Sequence, residues 1–416
     1  MPVKLYEVPP ELTPPPAPRV WRWLVLLPVL LLLGLGLTLW LGGDTLTQHP
    51  RLLWQIGLGA PMAIWFFLGL IRALVYLGQL SVADGWNDER EADLVQKMRQ
   101  GRRSQQVLAV SLHTALREPG AHDGEAQRDA LLGAHKALRV QAAWQPCEEG
   151  IRHSRLAVEQ GGMPEAVLRR VLRQVLSDLA RVLQALPEDK PLALLLEMDT
   201  SVSEENLNGL WQDVWSESGI RQTVTRLEGR GLAAVDDWLD QRIREQTLLL
   251  VVAFQVAPAQ AEDTAEAVVG LLLGNRLTQT TLEPLAYLHR PEPVRTPTSE
   301  GVLYATHQVL GWVPVEAASI RHAWCVGTDA QRASAITTAI TTAISDVGMP
   351  LKVEQGLHDL DAILGNPGCT TPWVAIAAAV ESIRDEGEPH LIFSGDSTAD
   401  AWLWCSAVMP PSPNQE

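Results

Sequence analysis

The chain has 416 residues, with 33 Lys and Arg against 49 Asp and Glu and a mean hydropathy of +0.02. Residues 1 to 80 hold five of the basic and three of the acidic groups, which leaves 28 positive against 46 negative charges in the other 336 residues. That balance excludes nucleic acid as a partner, and 336 residues exceed one ordinary core, so two domains or a duplicated fold are expected. Four cysteines, widely spaced and without a CxxC, exclude a disulfide framework and fit reduced thiols in a cytoplasmic protein.

Taken in chain order, residues 1–20 are rich in proline (Pro9, Pro10, Pro14, Pro15, Pro16, Pro18) and read as an extended cytoplasmic tether. Residues 21–80 hold two uncharged apolar runs, Trp23 to Leu41 and Leu52 to Ile71, each of about the twenty residues that a helix needs to cross a bilayer. They form a membrane hairpin. Lys4, Arg19 and Arg22 precede it, and Arg72, Arg90, Lys97, Arg99, Arg102 and Arg103 follow it, whereas the break between the runs has only Arg51, offset by Asp44. Both ends are therefore expected on the cytoplasmic side of a bacterial inner membrane. Residues 81–103 are a polar connector that continues the second helix out of the membrane.

The soluble part alternates strands and helices. Val107 to Leu112 reads as a buried strand, Pro164 to Leu186 as an amphipathic helix with Val167, Val171, Leu172, Val175, Leu179 and Leu183 on one face, and Leu192 to Met198 as a second strand. Helices are expected over Ser203 to Trp215 and Leu232 to Gln246, and a strand buried on both faces over Thr247 to Val256. Residues 281–300, with Pro284, Pro291, Pro293 and Pro297, read as a linker between a first half (104–280) and a second (301–412). In the second half we expect strands at Ile320 to Val326, Leu351 to Val353, Leu391 to Phe393 and Ala401 to Val408. Helices are expected from Thr328 or Asp329 to Ser345 and from Thr371 to Arg384.

The two halves end alike. Arg242-Ile243-Arg244-Glu245, a strand and Thr264-Ala265-Glu266-Ala267 are matched by Ser382-Ile383-Arg384-Asp385, a strand and Thr398-Ala399-Asp400-Ala401. Two copies of a βαβαββ succession resemble the thiolase-like fold of ketosynthases and thiolases, so the expected class is α/β with duplicated thiolase-like halves behind two transmembrane helices. The resemblance implies a catalytic histidine after a glycine ahead of the last helix. Here Gly365 is followed by Asn366, which cannot act as a general base.

The remaining chemistry is sparse. Cys147 lies between Pro146 and the carboxylates Glu148 and Glu149, which disfavour a thiolate, and Cys369 precedes the expected helix at Thr371 with no histidine beside it. His358-Asp359-Leu360-Asp361 reads as a polar helix start, with metal ligation as the alternative. His322 and Cys325 point to opposite faces of one strand. No catalytic residue, cofactor or metal is assigned. Of the 15 tryptophans, Trp211 and Trp215 stand one helical turn apart and are the candidate protein-binding anchor.

The hairpin, Trp86-Asn87-Asp88-Glu89-Arg90-Glu91, Gly101-Arg102-Arg103, Ser111-Leu112-His113-Thr114 and the degenerate halves together resemble the type VI secretion lipase adapter family. That resemblance implies a membrane-anchored pseudoenzyme that binds a phospholipase toxin in the cytoplasm and helps load it on the secretion spike. An acyl-transfer enzyme of the thiolase/ketosynthase type, or a structural inner-membrane secretion subunit, are the alternatives.

Overall fold

The structure, a computed structural model, describes residues 3, 5–47, 49–118, 120–121, 123–144, 150–158, 162–313, 319–347, 351–395 and 403–411. Two compact units result, Lys4–Met98 and a larger one formed by Met1–Val3 and Arg99–Glu416.

In the smaller unit, α1 (Val20–Thr47) is followed by α2 (Pro50–Trp54), a π-helical turn at Gln55–Gly59 and the long α3 (Ala60–Gly101). Val20–Leu41 and the stretch from Pro50 to Gly101 are long and apolar enough to cross a membrane. Leu32, Trp40, Phe66 and Phe67 are exposed on them, a distribution suited to lipid rather than water. Glycine permits the close crossing of the two helices, since a Cβ on Gly34 would lie 2.8 Å from the Gly57 carbonyl. The indole of Trp65 donates to the Trp23 carbonyl at 2.9 Å. The proline-rich arm opens with a 3-10 turn at Leu5–Glu7, carries no helix or strand from Pro9 to Arg19, and is tied to α3. Asn87 donates to and accepts from the Leu12 backbone at 3.1 and 3.0 Å, while Arg90 donates to the Pro9 carbonyl at 2.8 Å and pairs with Glu11. The Trp86 to Glu91 motif is thus the seat of the arm.

The larger unit begins with β1 (Ser104–His113), α4 (Glu125–Leu132) and a small hairpin of β2 (Arg139–Gln141) and β3 (Ile151–His153). There follow α5 (Pro164–Leu183), β4 (Leu192–Asp199), α6 (Glu204–Glu217), β5 (Val224–Arg226), α7 (Gly231–Gln241), β6 (Leu248–Gln255) and β7 (Ala267–Asn275). The second half runs β8 (Ala286–His289), β9 (Glu292–Pro293), α8 (Ser299–Trp312), β10 (His322–Val326) and α9 (Ala330–Val347). It continues through α10 (Val353–Gly356), β11 (Leu357–Asp359), α11 (Leu360–Leu364), α12 (Thr371–Glu386), β12 (His390–Gly395) and β13 (Leu403–Met409).

Strand order is β11-β10-β12-β13-β8-β1-β7-β6-β4-β5, with β9 on β13. Read outward from the central β8–β1 pair, the two sides are identical: each has an opening strand, an antiparallel hairpin and two further parallel strands. The duplication expected from the sequence is therefore present, but each half has one βα step more than the expected βαβαββ, its third strand being only three residues long and so hidden in the sequence.

Alternation along the strands builds the layers. Leu249, Val251 and Ala253 of β6 face a central core with α7 and α12, while Leu248, Leu250 and Val252 face α5 and α6. Leu391 and Phe393 of β12 likewise face α8 and α9. The inner helix α12 is buried from Thr371 to Ile383, all round, and its alanines let the layers approach closely. Gly270 does the same on β7, where a Cβ would meet Val175 Cγ1 at 2.5 Å.

Three expectations need correction. Residues 281–300 are not a linker: they contain β8 and β9, the opening strand of the second half, because the prolines flank four ladder-forming residues and Pro293 sits at the end of a two-residue pairing. Leu351 to Val353 is not a strand. Leu351 is buried in coil, and the strand is Leu357–Asp359, too short to show a period. Helix α8, capped by the Thr298 hydroxyl accepting from Gly301 N–H, has no counterpart in the sequence reading, since Gly301 and Gly311 weaken its pattern. The repeated tetrapeptide from Thr398 to Ala401, and Cys147, lie outside the described residues.

Candidate functional site

The ends of β4, β6 and β10 lie by the starts of the two inner helices, α7 and α12. Glu197, near the end of β4, faces inward and is almost fully buried. Its carboxylate Oε1 accepts from the backbone N–H of Gly231, the first residue of α7, at 2.8 Å, and from the indole of Trp373 in the first turn of α12 at 3.1 Å. Gly231 has φ +51° and so needs glycine. A buried helix start concentrates partial positive charge and would steady a thiolate or a developing oxyanion. Here a resident carboxylate takes that place, and the residue at the helix start has no side chain.

Across from α7, the turn ahead of α12 holds the two residues singled out in the sequence. Asn366 is exposed and acts on the backbone: its Oδ1 accepts from Gly368 N–H at 2.8 Å, while its carbonyl accepts from Ala265 N–H at 2.9 Å and from Gln255 Nε2 at 3.0 Å. Gly365, at φ +98°, lets this turn press on the Thr264 carbonyl. Cys369 does reach the helix start, but its thiol is half-buried and donates to the Phe254 carbonyl at 3.4 Å. Burial first, then the charges of Glu197 and Asp199, pushes the thiol well above its ordinary value, so it stays protonated. Cys325 and Cys405 are buried on β10 and β13, and burial raises them too.

Three histidines gather around the starts of β10 and β12. His322 and His390 open β10 and β12 side by side, and His358 lies across from Trp324 on β11. His322 Nδ1 and His358 Nε2 are 3.0 Å apart, the His322 ring stacks on His390 at 5.0 Å between centroids, and the Trp324 indole donates to His390 Nδ1 at 2.8 Å. Burial, and after it His322, lowers His358 to about 4 and His390 to about 3, so both are neutral near pH 7. These rings begin the strands whose far ends carry the α12 turn, about 16 Å away along five residues. They cannot serve Cys369. His322 also faces Glu386 at 3.3 Å and Glu388 at 4.0 Å, the grouping among the described residues whose ligand atoms lie close enough to hold a cation, although Arg321 already neutralises Glu388. In the His358 to Asp361 cluster, Asp359 caps α11 by accepting from Ala362 N–H at 3.0 Å. Asp361 accepts from the Gly327 and Thr328 N–H groups. Both carboxylates therefore serve structure.

Trp211 and Trp215 do stack, with centroids 5.6 Å apart and ring planes tilted by 30°. Each is half-buried against the core between α5 and α6, beside the Arg169–Asp213 and Arg173–Glu217 ion pairs that link those helices. What sequence reasoning missed is Glu197. It sits in an apolar strand, and a lone carboxylate in such a run was the available signal.

No family model and no curated protein matches this chain. Solved structures do. The ketosynthase of module 6 of the bacillaene synthase from Bacillus subtilis 168 superposes with a TM-score of 0.51 at 11% identity, over 75% of this chain and 71% of its own. The ishigamide ketosynthase/chain length factor gives 0.51 at 12% identity, over 74% and 100%. A type II ketosynthase in complex with its acyl-carrier protein, AntDE:AntF, gives 0.50 at 10% identity, over 74% and 100%. With the mirrored strand order, these likenesses establish the fold: two apolar helices long enough to span a membrane precede a duplicated, thiolase-like α/β domain.

Proposed function

We propose that the chain anchors a thiolase-like binding domain at a membrane and that this domain holds a protein partner in place of running acyl transfer. The observation that supports the reading is Glu197, whose carboxylate occupies the start of α7 and draws on the α12 indole as well. A nucleophile there would need both the side chain that Gly231 lacks and the N–H that Glu197 has taken. Orientation follows the flanking arginines, with both termini cytoplasmic and Gly42 to Arg51 periplasmic. By its resemblance to type VI lipase adapters, the partner is a phospholipase toxin to be passed to the secretion spike. The test is capture of the lipase encoded beside this chain by the full-length protein in nonionic detergent. Replacing Trp211 and Trp215 together by alanine is expected to weaken capture by roughly 30-fold or more, whereas Cys369→Ala leaves it unchanged.

Acyl transfer is the second reading, and the likeness to ketosynthases together with a cysteine ahead of α12 favours it. It predicts a stable acyl adduct on Cys369 after incubation with an acyl thioester, detected by intact mass. Such an adduct would overturn the binding reading; its absence together with lipase capture would support it.

A further inference from the structure

The motif from Ser111 to Thr114 has no part in the arrangement around Glu197. It ends β1 beside a separate, half-open cleft of about 190 Å³, walled by Leu156 and Ala157 on one side and by Arg170, Val171 and Gln174 of α5 on the other. Two polar atoms there are buried without a hydrogen-bond partner among the described residues, His113 Nε2 and Arg117 Nε. These residues are 8% and 9% exposed. Arg117 is held from behind, its Nη1 donating to the Leu112 carbonyl at 2.7 Å and its Nη2 to the Ala121 carbonyl at 3.4 Å, so Nε is the donor left over. Arg170, tied to the Ala157 carbonyl, brings a second guanidinium. Burial, and after it the charges of Arg117 and Arg170, holds His113 down to about 3, so the imidazole is neutral and the positive charge of the cleft is that of the arginines. Glu118 lines the rim and is exposed. Glu381 faces Arg117 electrostatically.

Arg117 Nε–H is an unmade buried donor, which is costly, and His113 Nε2 is a second in the Nε2–H tautomer; beside two guanidiniums they call for an acceptor bearing negative charge. We propose that this cleft binds a small carboxylate with a short apolar tail, one oxygen taking Arg117 Nε–H and the other His113 Nε2–H, the tail lying on Leu156, Ala157 and Val171. The volume exceeds the ~150 Å³ of an engineered apolar cavity that accepts benzene, so hexanoate or benzoate fits. Phosphate fits poorly, because its further oxygens would face Leu156 and Val171 without donors. The site stands apart from the adapter role and does not depend on it.

Calorimetric titration of the full-length protein in maltoside detergent with hexanoate tests this. Saturable binding is expected, at least tenfold tighter than hexanol or inorganic phosphate. Arg170→Gln is expected to weaken it at least tenfold and Ala157→Phe, which fills the cleft from a half-exposed position, to abolish it. Circular dichroism identifies which variants fold, and either one suffices. No saturable hexanoate binding, phosphate binding of equal strength, or hexanoate binding untouched by a folded variant would each overturn the proposal.

Discussion

In the first half of the domain the inner helix α7 starts on a glycine whose N–H is bound by Glu197, and it is short, 11 residues. In the second half the inner helix α12 has 16 residues, starts behind a proline-containing turn and is enclosed on every side as far as Ile383. One topology therefore carries two different kinds of core. The first half concentrates polar bonding around α7: Trp238 donates to Asn275 at 2.8 Å, and Asp236 pairs with the fully buried Arg290 at 2.7 Å. The second half relies on close apolar contact, with Glu381 as the carboxylate buried in its helix. The lesson is that a duplicated fold can keep strand order while the two copies divide packing and polar bonding between them.

The sharpest way to break that comparison is to truncate the two inner tryptophans. Trp373→Ala removes a side chain with no exposed surface and one of the donors to Glu197, and should cost about 3–5 kcal/mol. Trp238→Ala, at 2% exposure, belongs in the same range but leaves Asn275 bonded to the Arg242 and Glu245 carbonyls. Denaturant titration of the full-length protein in detergent should rank Trp373→Ala as the more damaging; the reverse order would show that α7, not α12, is the keystone.

The carboxylates give a second contrast, in pH. Burial raises Glu381 to about 7, despite Arg117 and Arg384 nearby. A raised acid holds its proton in the native state when the unfolded chain has lost it, so stability falls as pH rises from about 4.5 to about 7 and levels off above. The fall is on the order of 3 kcal/mol. Glu381→Gln should flatten that slope and stabilise the protein at pH 8. Asp236→Asn should do the opposite at pH 8, because it leaves the Arg290 charge buried with one carboxylate fewer, a loss of about 3 kcal/mol. Melting temperatures at pH 5 and pH 8 separate the two.

Smaller again is Gly270→Ala. The added methyl would push on Val175 and Leu179 of α5, at 2.5 and 2.8 Å, so a loss of about 1–3 kcal/mol is expected from overpacking. A stabilised variant would mean that α5 is free to shift away from β7.

Much of this was legible in the sequence, for local reasons. The runs at Leu192 and Leu248 are strands because apolar length and breakers fix them, and the α5 face follows from its helical spacing. Ser203 and Asp329 each take the capping bond that their residue type favours. Hidden features are those that join distant positions. Glu197 meets Gly231 and Trp373 across 34 and 176 residues, and no local pattern announces such a meeting. The repeated Thr264 tetrapeptide and Asn366 both stood out on their own, yet their direct bridge, Thr264 to Asn366, is visible only in three dimensions. Strands β8 and β11 were lost because four residues among prolines and the three residues Leu357-His358-Asp359 carry too little periodicity to register.

The smallest expected effect is at Cys369, and it bears most directly on chemistry. Its thiol makes one weak bond to the Phe254 carbonyl, and the turn around it is held by other groups: Thr370 and Thr371 hydroxyls donate to the Pro367 and Gly368 carbonyls, and Asn366 binds Gly368. Replacing it by alanine therefore removes a single polarizable atom and should cost about 1 kcal/mol or less. Because burial and the neighbouring carboxylates Glu197 and Asp199 raise the thiol, it should also resist alkylation at pH 8, unlike an activated nucleophile. Glu197→Gln sharpens the contrast. It removes the first of those charges while keeping an oxygen for Gly231, so alkylation at Cys369 should quicken modestly with the fold unchanged. Rapid alkylation of the unaltered protein, at a rate well above that of a free thiol, would instead show that the start of α12 activates Cys369, and the second half would then hold a working nucleophile that the first half lacks.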